Sequence, residues 1–513
     1  MRFPSIKFSH PLDRAAVPVI AALALALLLL LLLGQQPAPA VREFSWQDRV
    51  VGAEDQAFFV NFSRPMDHEA VEANLRLDAI ISESDRQPVS GRVSWAGRRM
   101  AYTLNDPAPY GYSYRLAIDN AWDRFSSAEA SQRLVPFEGQ FRTRDRALFY
   151  IGAQGEEEGR LVLYNLTRRE KRLLTPKTLV VMDYEPYPQG DRVLFSAVER
   201  TARDRGLLNQ QIYVATTGIE AAAPANTVGG EAEITTFPLD NEVQRLLDSD
   251  EYQNLKFDLA PNGEVIVVYR VNRQNPGEFG LWTVRIDDSG EPAVAPLPSE
   301  PGGDFMITPD SQAIAYLQGQ GMALLSLDES ASEPLDFLPQ YGMVLDFAKD
   351  GTAAALVRFD ADPTDPTQTL VLVTNQGDER DLLSLSGSIR DARFSPSGDT
   401  LYCIVAERLP GDVYAEQPYL VAISKDGDRQ DLLLLPPQPS IKISLAPDGL
   451  GLLFDQVTTA TSPDPASLRS SDGNAIEDSS LWFFPILTDE DGMLLQAESS
   501  QLPVAGFYPQ WLP

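Results

Sequence analysis

Histidine and cysteine are nearly missing from this sequence. Its 513 residues include two histidines, His10 and His68, and one cysteine, Cys403. A single cysteine cannot form an intrachain disulfide or a cysteine-based metal cluster, and its position in an apolar run predicts a buried structural thiol. Because no histidine follows residue 68, the rest of the chain cannot by itself supply a Ser-His-Asp triad, a histidine-ligated zinc or a histidine general base.

Positive charge is also scarce. The chain has 42 lysines and arginines against 73 acidic residues, a net charge of −31. This balance argues against a nucleic-acid partner, whose phosphates require clustered basic side chains. The sequence contains no G-x-S-x-G elbow, no Gly-Lys phosphate loop and no H-E-x-x-H zinc motif. We therefore predict no cofactor and no catalytic motif.

Long apolar runs occur once, near the N-terminus. Residues 15–33 are nineteen apolar residues without a charge, and as a helix they would rise about 28 Å, close to the thickness of a bilayer core. Three basic residues precede this run, so positive-inside logic predicts a cytoplasmic tail over 1–14 and an inner-membrane anchor over 15–34. The bulk of the chain would then be periplasmic. The alternative is a signal peptide cleaved near Ala40 and a secreted protein.

Residues 41–145 alternate apolar and polar positions in short stretches separated by turns, which predicts a β-sandwich. Three segments carry a resemblance to the bacterial Ig-like domain of the SbsA type: 62–67 (FSRPMD), 111–114 (GYSY) and 137–143 (FEGQFRT). This resemblance implies a spacer or adhesion-like module and no catalysis.

A repeat built on a tight turn begins after residue 146. Proline presets φ at the first central position of the turn, and glycine takes the left-handed conformation that follows. Successive turns are 73, 48, 40, 47 and 51 residues apart, close to the 40–50 residues of a four-stranded propeller blade. The turns are 187–190 (YPQG), 260–263 (APNG), 308–311 (TPDS), 348–351 (AKDG), 395–398 (SPSG) and 446–449 (APDG).

The turn and strand pattern resembles the repeat of TolB-type β-propellers over residues 146–513. The segment starts with the second strand of a repeat and stops at 506–513 (GFYPQWLP), which has the form of a first strand ending at the turn proline. We therefore predict an all-β chain whose C-terminal strand completes the first blade, which hides two sheet edges. Counting this split blade gives seven blades; six is the alternative, since TolB propellers usually have six.

The connection between the second and third strand of each repeat varies most in length, and such insertions often mark a binding face. Several of these connections contain arginine, which can receive a carboxylate or an acidic partner. The alternative is that each arginine pairs with a neighbouring acid. The arginines are Arg200, Arg203, Arg205, Arg270, Arg273, Arg358 and Arg408.

These features favour a non-enzymatic, membrane-anchored binding or scaffold protein that presents its propeller to a protein or glycan partner. The rival hypothesis is a hydrolase or lyase that uses carboxylates in the central channel. A third hypothesis is a constitutive subunit of an envelope complex. Two carboxylates about 5–10 Å apart in a water-filled channel would favour the enzyme.

Overall fold

A computed structural model describes the chain from residue 38 to residue 513 with interior gaps, together with two short N-terminal pieces. Strands dominate it, with two short α-helices, α1 (His68–Ala73) and α2 (Arg200–Arg203). The described ranges are 19–20, 22–25, 38–82, 85–124, 133–203, 209–219, 235–237, 242–286, 290–319, 321–328, 336–338, 340–360, 367–411, 413–438, 440–460, 467–469, 473–489 and 492–513.

Most of the predicted anchor, residues 15–34, lies outside the described residues, as does the predicted cytoplasmic tail, 1–14. Within the described ranges, no helix has both the length and the apolarity needed to cross a bilayer. Anchoring, orientation and the alternative of cleavage near Ala40 stay predictions.

Residues 41–143 form two sheets that face each other across one hydrophobic core. One sheet has the order β1-β3-β7-β6 and the other β2-β9-β8-β4-β5. Apolar side chains from both sheets, such as Phe58 and Tyr114, meet in the core, so the alternation in the sequence reports a sandwich; its relationship to Ig-like domains stays a prediction. The strands are β1 (Val41–Phe44), β2 (Val50–Val51), β3 (Ala57–Phe62), β4 (Leu75–Ile80), β5 (Arg86–Pro88), β6 (Gly91–Ala96), β7 (Arg99–Leu104), β8 (Ser113–Ile118) and β9 (Phe137–Thr143).

Residues 147–511 fold as a β-propeller made of successive antiparallel units, numbered here in chain order. Unit 1 contains β10 (Ala147–Gly152), β11 (Leu161–Asn165) and β12 (Glu170–Leu173). Unit 2 contains β13 (Leu179–Pro186), β14 (Arg192–Glu199), β15 (Gln211–Thr216) and β17 (Val243–Leu247). Between β15 and β17, the short strand β16 (Thr235–Phe237) joins the sheet of unit 1 parallel to β12. Unit 3 contains β18 (Tyr252–Leu259), β19 (Ile266–Asn272), β20 (Phe279–Ile286) and β21 (Pro292–Leu297).

Unit 4 contains β22 (Gly302–Ile307), β23 (Ala313–Gln318), β24 (Gly321–Ser326) and β25 (Asp336–Leu338); unit 5 contains β26 (Met343–Phe347), β27 (Ala353–Phe359), β28 (Thr367–Thr374) and the first half of β29 (Glu379–Phe394). The second half of β29 opens unit 6, with β30 (Thr400–Arg408), β31 (Glu416–Ser424) and β32 (Arg429–Leu434). Unit 7 contains β33 (Ile443–Leu445), β34 (Gly451–Thr459), β35 (Ile476–Pro485) and β36 (Ser500–Gln501).

The last strand, β37 (Gly506–Trp511), pairs antiparallel with β10, which is the pairing that the sequence predicts. Hydrophobic clusters between neighbouring units complete the closure. The cluster around Leu453 and Leu148 joins unit 7 to unit 1, while that around Phe149 and Tyr184 joins unit 1 to unit 2. The sheets therefore close into a ring, with the core lying between the units.

Antiparallel strands send alternate connections to opposite ends of each unit. The proline-containing turns and the third-to-fourth connections lie at one end, called here the turn face. The second-to-third connections lie at the other end, the loop face. The sandwich docks on the turn face: Asp448, in the turn of unit 7, accepts hydrogen bonds from Tyr110 N at 2.9 Å and from Arg146 Nη2 at 2.7 Å.

Candidate functional site: the inner strands of the ring

The first strand of each unit lines the centre of the ring and carries mostly polar side chains at two repeated positions; Val344 and Met306 are the exceptions. Relative to the turn proline, or to Lys349 where lysine replaces it, these positions lie five and three residues earlier, so both lie on the same side of the strand. The residues at the first position are Asp183, Lys256, Asp304, Val344, Asp391, Lys442 and Tyr508. Those at the second are Glu185, Asp258, Met306, Asp346, Arg393, Ser444 and Gln510.

A bulge in each of several inner strands aims these side chains. The pairing register shifts between Val181 and Asp183 in unit 2 and between Asn254 and Lys256 in unit 3. Unit 6 repeats the shift just before Asp391, and units 1, 4 and 5 have a shift within one residue of the first position. A bulge turns one residue out of the ladder and increases the local twist, so a distortion recurs next to the polar positions.

The side chain at the second position binds the backbone of the next unit. Glu185 accepts a hydrogen bond from Leu259 N at 2.9 Å, and Asp258 accepts one from Ile307 N at 2.6 Å. Asp346 repeats the contact with Phe394 N at 2.8 Å. In unit 7 the Ser444 hydroxyl does so with Trp511 N at 3.0 Å, across the closure of the ring. These side chains therefore join neighbouring units around the ring.

Glu185 and Asp258 form a carboxyl pair. A hydrogen bond joins their side chains, and burial raises the pKa of both groups, that of Asp258 to about 6. The negative charge of Asp258 raises the pKa of Glu185 further, while the Ile307 amide and Lys256 oppose the rise at Asp258. Two adjacent carboxyl groups cannot both ionise cheaply, so the pair keeps a proton to higher pH than an exposed carboxyl group does.

Tyr508 is the most constrained side chain at the centre. Its φ of 58° lies in the left-handed region, which is costly for a bulky residue. Its amide donates to Asp455 Oδ2 at 2.8 Å, and its carbonyl accepts from the Tyr184 hydroxyl. Its own hydroxyl bonds Asp183, and Lys442 Nζ lies 5.3 Å from its ring centroid. These contacts stabilise the strained backbone and fix β37 against units 2 and 7.

Lys256, Arg393 and Lys442 place positive charge beside these carboxyl groups. Lys256 pairs with Asp304 and donates to Phe305 O at 2.9 Å. Arg393 Nη1 lies 2.7 Å from Asp391, and its charge opposes the rise in the pKa of Asp346, which burial brings to about 6. Burial likewise raises the pKa of Asp455 to about 6. The carboxyl groups are thus held by backbone amides and cations from neighbouring strands.

The predicted arginine loops resolve into individual pairs. Arg200 begins α2, lies 3.5 Å from Glu158 and donates to Glu158 O at 2.7 Å. Arg203 is buried in α2, and Arg205 lies outside the described residues. Arg273 donates to Asn209 Oδ1 at 2.8 Å. Arg200 thus pairs with an acid and Arg273 with an amide, both within the chain.

Three of the arginines lie in strands, so the predicted loop positions are wrong. Arg270 is in β19, Arg358 in β27 and Arg408 ends β30. The strands extend beyond the apolar runs because the hydrogen bonds of a β-ladder join backbone groups. A polar residue supplies these groups as well as an apolar one does. Arg270 is buried, with its guanidinium carbon 4.6 Å from the Tyr252 ring centroid.

Of the other two, Arg358 is half-buried and Arg408 is exposed. Arg358 Nη2 lies 2.6 Å from Asp381, and Arg408 lies 5.6 Å from the Tyr414 ring. The described arginines are distributed over units 2, 3, 5 and 6. A role for them in partner binding stays a prediction.

Cys403 is completely buried, and burial raises the pKa of its thiol, which fits the predicted structural role.

The sequence did not single out the inner-strand carboxylates, although a signal was present. An acid three residues before the turn proline occurs in units 2, 3 and 5. The role of this acid depends on the bulge that aims its side chain and on the backbone amide that it binds in the next unit, about 50 residues further along the chain.

No protein-family model and no curated protein matches this chain. Among solved structures it is similar to TolB from Acinetobacter baumannii, with 11% identity, coverage of 83% of this chain and 82% of that chain, and a TM-score of 0.38. It is similar to oligogalacturonate lyase from Vibrio parahaemolyticus, with 10% identity, coverage of 68% and 92%, and a TM-score of 0.39. It is also similar to puromycin hydrolase, with 16% identity, coverage of 84% of this chain and 60% of that chain, and a TM-score of 0.37.

Proposed function

We propose that this chain is a membrane-anchored, extracytoplasmic scaffold whose seven-bladed propeller binds a protein partner through its loop face, with an Ig-like sandwich as spacer. The anchor is the apolar run within residues 15–34. Seven antiparallel units, and the hydrophobic cluster that joins the last unit to the first, support the proposed blade number. An attached sandwich on the turn face leaves the opposite face available.

Exposed apolar side chains on the loop face carry this proposal. Phe359 is 51% exposed, Val413 80% and Tyr414 62%, and Leu409 accompanies them. They lie at the second-to-third connections of units 5 and 6, which are neighbours in the ring. Clustered exposed apolar residues mark interaction sites, and aromatic side chains are enriched in the energetic centres of protein interfaces.

The channel carboxylates do not favour the rival enzyme. A glycosidase-like pair needs carboxyl groups separated by the reacting bond or water, whereas Glu185 and Asp258 are buried beside each other. Both also accept a backbone amide of the next unit. Their contacts therefore support a structural role in joining the blades.

The test is recovery of a partner by the full-length chain after extraction in mild detergent. We expect a stoichiometric protein to co-purify with the wild type and to be lost from the double variant Phe359→Ser, Tyr414→Ser. The control is Met493→Ser, since Met493 is 65% exposed but lies in the third-to-fourth connection of unit 7, on the turn face. Recovery of no stoichiometric protein, or equal recovery by both variants, would overturn the proposal. Binding to a glycan array with loss in the same double variant would identify a glycan partner instead.

A further inference from the structure

The chain enters the sandwich at the end that lies away from the propeller. Tyr110 marks the propeller end, since its amide donates to Asp448 and its hydroxyl accepts from Ala53 N, shortly before β3 begins. Strand β3 then runs to Phe62 at the opposite end, where Val41, the first residue of β1, pairs with it. The seven steps from residue 34 to Val41 span at most about 25 Å. An anchor over 15–34 would therefore keep this end of the sandwich close to the membrane surface.

A shallow groove lies at this end, between the start of β1, the end of β3 and the turn that joins β6 to β7. Its volume is about 380 Å³. Arg42, Arg98 and Arg99 line it, and all three are exposed. The guanidinium carbon of Arg99 lies 3.5 Å from the Phe59 ring centroid, and Arg98 Nη1 donates to Ser63 O at 3.4 Å. These contacts orient two of the arginines and leave their charge without a counter-charge.

Acidic side chains do not balance the three arginines. Glu43 is the acid that lines the groove, and its Oε2 accepts from Asn61 Nδ2 at 2.6 Å. Among the residues that the structure describes, no carboxylate pairs with Arg42, Arg98 or Arg99. Other carboxylates at this end have contacts of their own: Asp67 caps α1, Glu72 accepts from Trp95 Nε1 at 2.8 Å, and Asp123 lies 3.1 Å from Arg64. The groove thus keeps a formal excess of two positive charges.

The negative charge of the chain lies almost wholly in the propeller. Residues 146–513 contain 26 basic and 56 acidic residues, whereas residues 41–145 contain 13 and 16. A negatively charged surface repels the propeller far more strongly than it repels the sandwich. The arginine groove lies on the side of the sandwich opposite the propeller, so this end is the one that suits an anionic surface.

We infer that the groove docks on the phosphate groups of anionic phospholipids, so that the sandwich stands on the bilayer and carries the propeller away from it. Guanidinium groups match phosphate with paired hydrogen bonds. Each basic side chain near an anionic membrane surface strengthens attachment roughly fivefold. Three arginines give weak attachment alone, but a short linker to an anchor raises the effective concentration of the headgroups. The docking rests on the anchor of the proposed function and adds an orientation, in which the loop face points away from the membrane.

The experiment reconstitutes the full-length chain with vesicles of phosphatidylcholine alone, or with about one third phosphatidylglycerol, each with a trace of headgroup-labelled acceptor lipid. A donor dye on Ser94→Cys reports the height of the sandwich, because Ser94 is an exposed residue of β6. The native Cys403 is completely buried and escapes the label. Flotation reports membrane attachment separately. We expect flotation with both vesicles, and higher energy transfer with phosphatidylglycerol that falls when salt rises from about 0.1 M to about 1 M, since screening then shortens from about 10 Å to about 3 Å.

Variants of the exposed arginines test the groove itself. Arg42→Gln, Arg98→Gln should lower the ratio of docked to undocked sandwich roughly 25-fold with phosphatidylglycerol. Glu43→Gln keeps an acceptor for Asn61 and removes the negative charge, so it should raise that ratio. The matched control is Arg92→Gln, which should change the ratio less than twofold, because Arg92 is exposed on the same strand but near its propeller end, opposite Thr103.

The two readouts separate the docking from the anchor. Equal transfer with the two vesicles, despite flotation with both, would overturn the docking and keep the anchor. Flotation with phosphatidylglycerol alone, lost in Arg42→Gln, Arg98→Gln, would support the docking and overturn the anchor, and flotation with neither vesicle would overturn both. Equal loss of transfer in Arg92→Gln would also overturn the docking, as would transfer that needs two copies of the chain on one vesicle, since a second copy would then occupy the groove.

Discussion

At the scale of single residues, the buried carboxyl groups of the inner strands link the ring to pH. Buried carboxyl groups usually gain stability from ionisation when cations pair with them. Here burial acts in the other direction and raises the pKa, to about 6 at Asp258, Asp346 and Asp455, and the charge of Asp391 adds to the rise at Asp346. Carboxyl groups of unfolded chains titrate near pH 4. Between these values the folded protein binds more protons than the unfolded one.

We therefore expect these groups to make the protein less stable as pH rises from about 4 to about 7, because ionisation then costs more in the folded state. Asp258→Asn keeps an acceptor for Ile307 N and removes the titration, so it should flatten the dependence. The melting temperature of the wild type should fall by a few degrees more than that of the variant between pH 5 and pH 7.5.

Glu264→Gln is the control for this pH series, since Glu264 is an exposed residue in the connection that follows the turn of unit 3. Its melting temperatures should follow those of the wild type at each pH. If Asp258→Asn kept the full wild-type pH dependence, the pair would not keep a proton to higher pH than an exposed carboxyl group does.

At the scale of elements, β37 is the one strand of the ring supplied from the far end of the chain. It pairs with β10, and its Trp511 amide and Tyr508 amide bind unit 7. Removal of residues 505–513 should expose the edge of β10 and the cores that unit 1 shares with units 2 and 7. We expect the truncated chain to lose cooperative melting, which is a far larger effect than the removal of nine surface residues would have.

A synthetic peptide of residues 505–513 provides the matched control for that truncation, since an extended peptide can add to an open sheet edge. Circular dichroism melting of the truncated chain should regain cooperativity when the peptide is added and not when a scrambled peptide is added. Unchanged melting of the truncated chain would contradict the closure by β37.

The strands and turns of the propeller are the features that the sequence predicts best. The turn repeat and its aliphatic strands reflect local rules, namely proline and glycine geometry and alternation, which one segment carries alone. The closing strand followed from the missing first strand of unit 1. The function of Glu185 was not visible because its partner, Leu259 N, lies in the next unit. The strand positions of Arg270 and Arg358 were missed because polar hairpin ends look like loops in a sequence.

At the scale of the whole molecule, the attachment of the sandwich decides which face of the propeller stays available. The attachment is polar and centres on Asp448, which is buried and accepts from Tyr110 N, Arg146 and Leu450 N. Loss of one partner from a buried ion pair leaves the other charge without compensation and costs several kcal/mol, roughly 3 for a well-buried pair. Arg146 is partly exposed, so a smaller cost applies here.

We expect Asp448→Ala to loosen the sandwich from the propeller at a cost of about 1–2 kcal/mol, the range for hydrogen bonds lost from a charged acceptor. Differential scanning calorimetry should then resolve two transitions where the wild type gives one, and limited proteolysis should cleave faster near residues 144–146. Asp448→Asn keeps an oxygen acceptor for the Tyr110 and Leu450 amides and loses the ion pair with Arg146, so it should give an intermediate result. A single unshifted transition in Asp448→Ala would mean that other contacts between the two parts, and not this carboxylate, hold the spacer on the turn face.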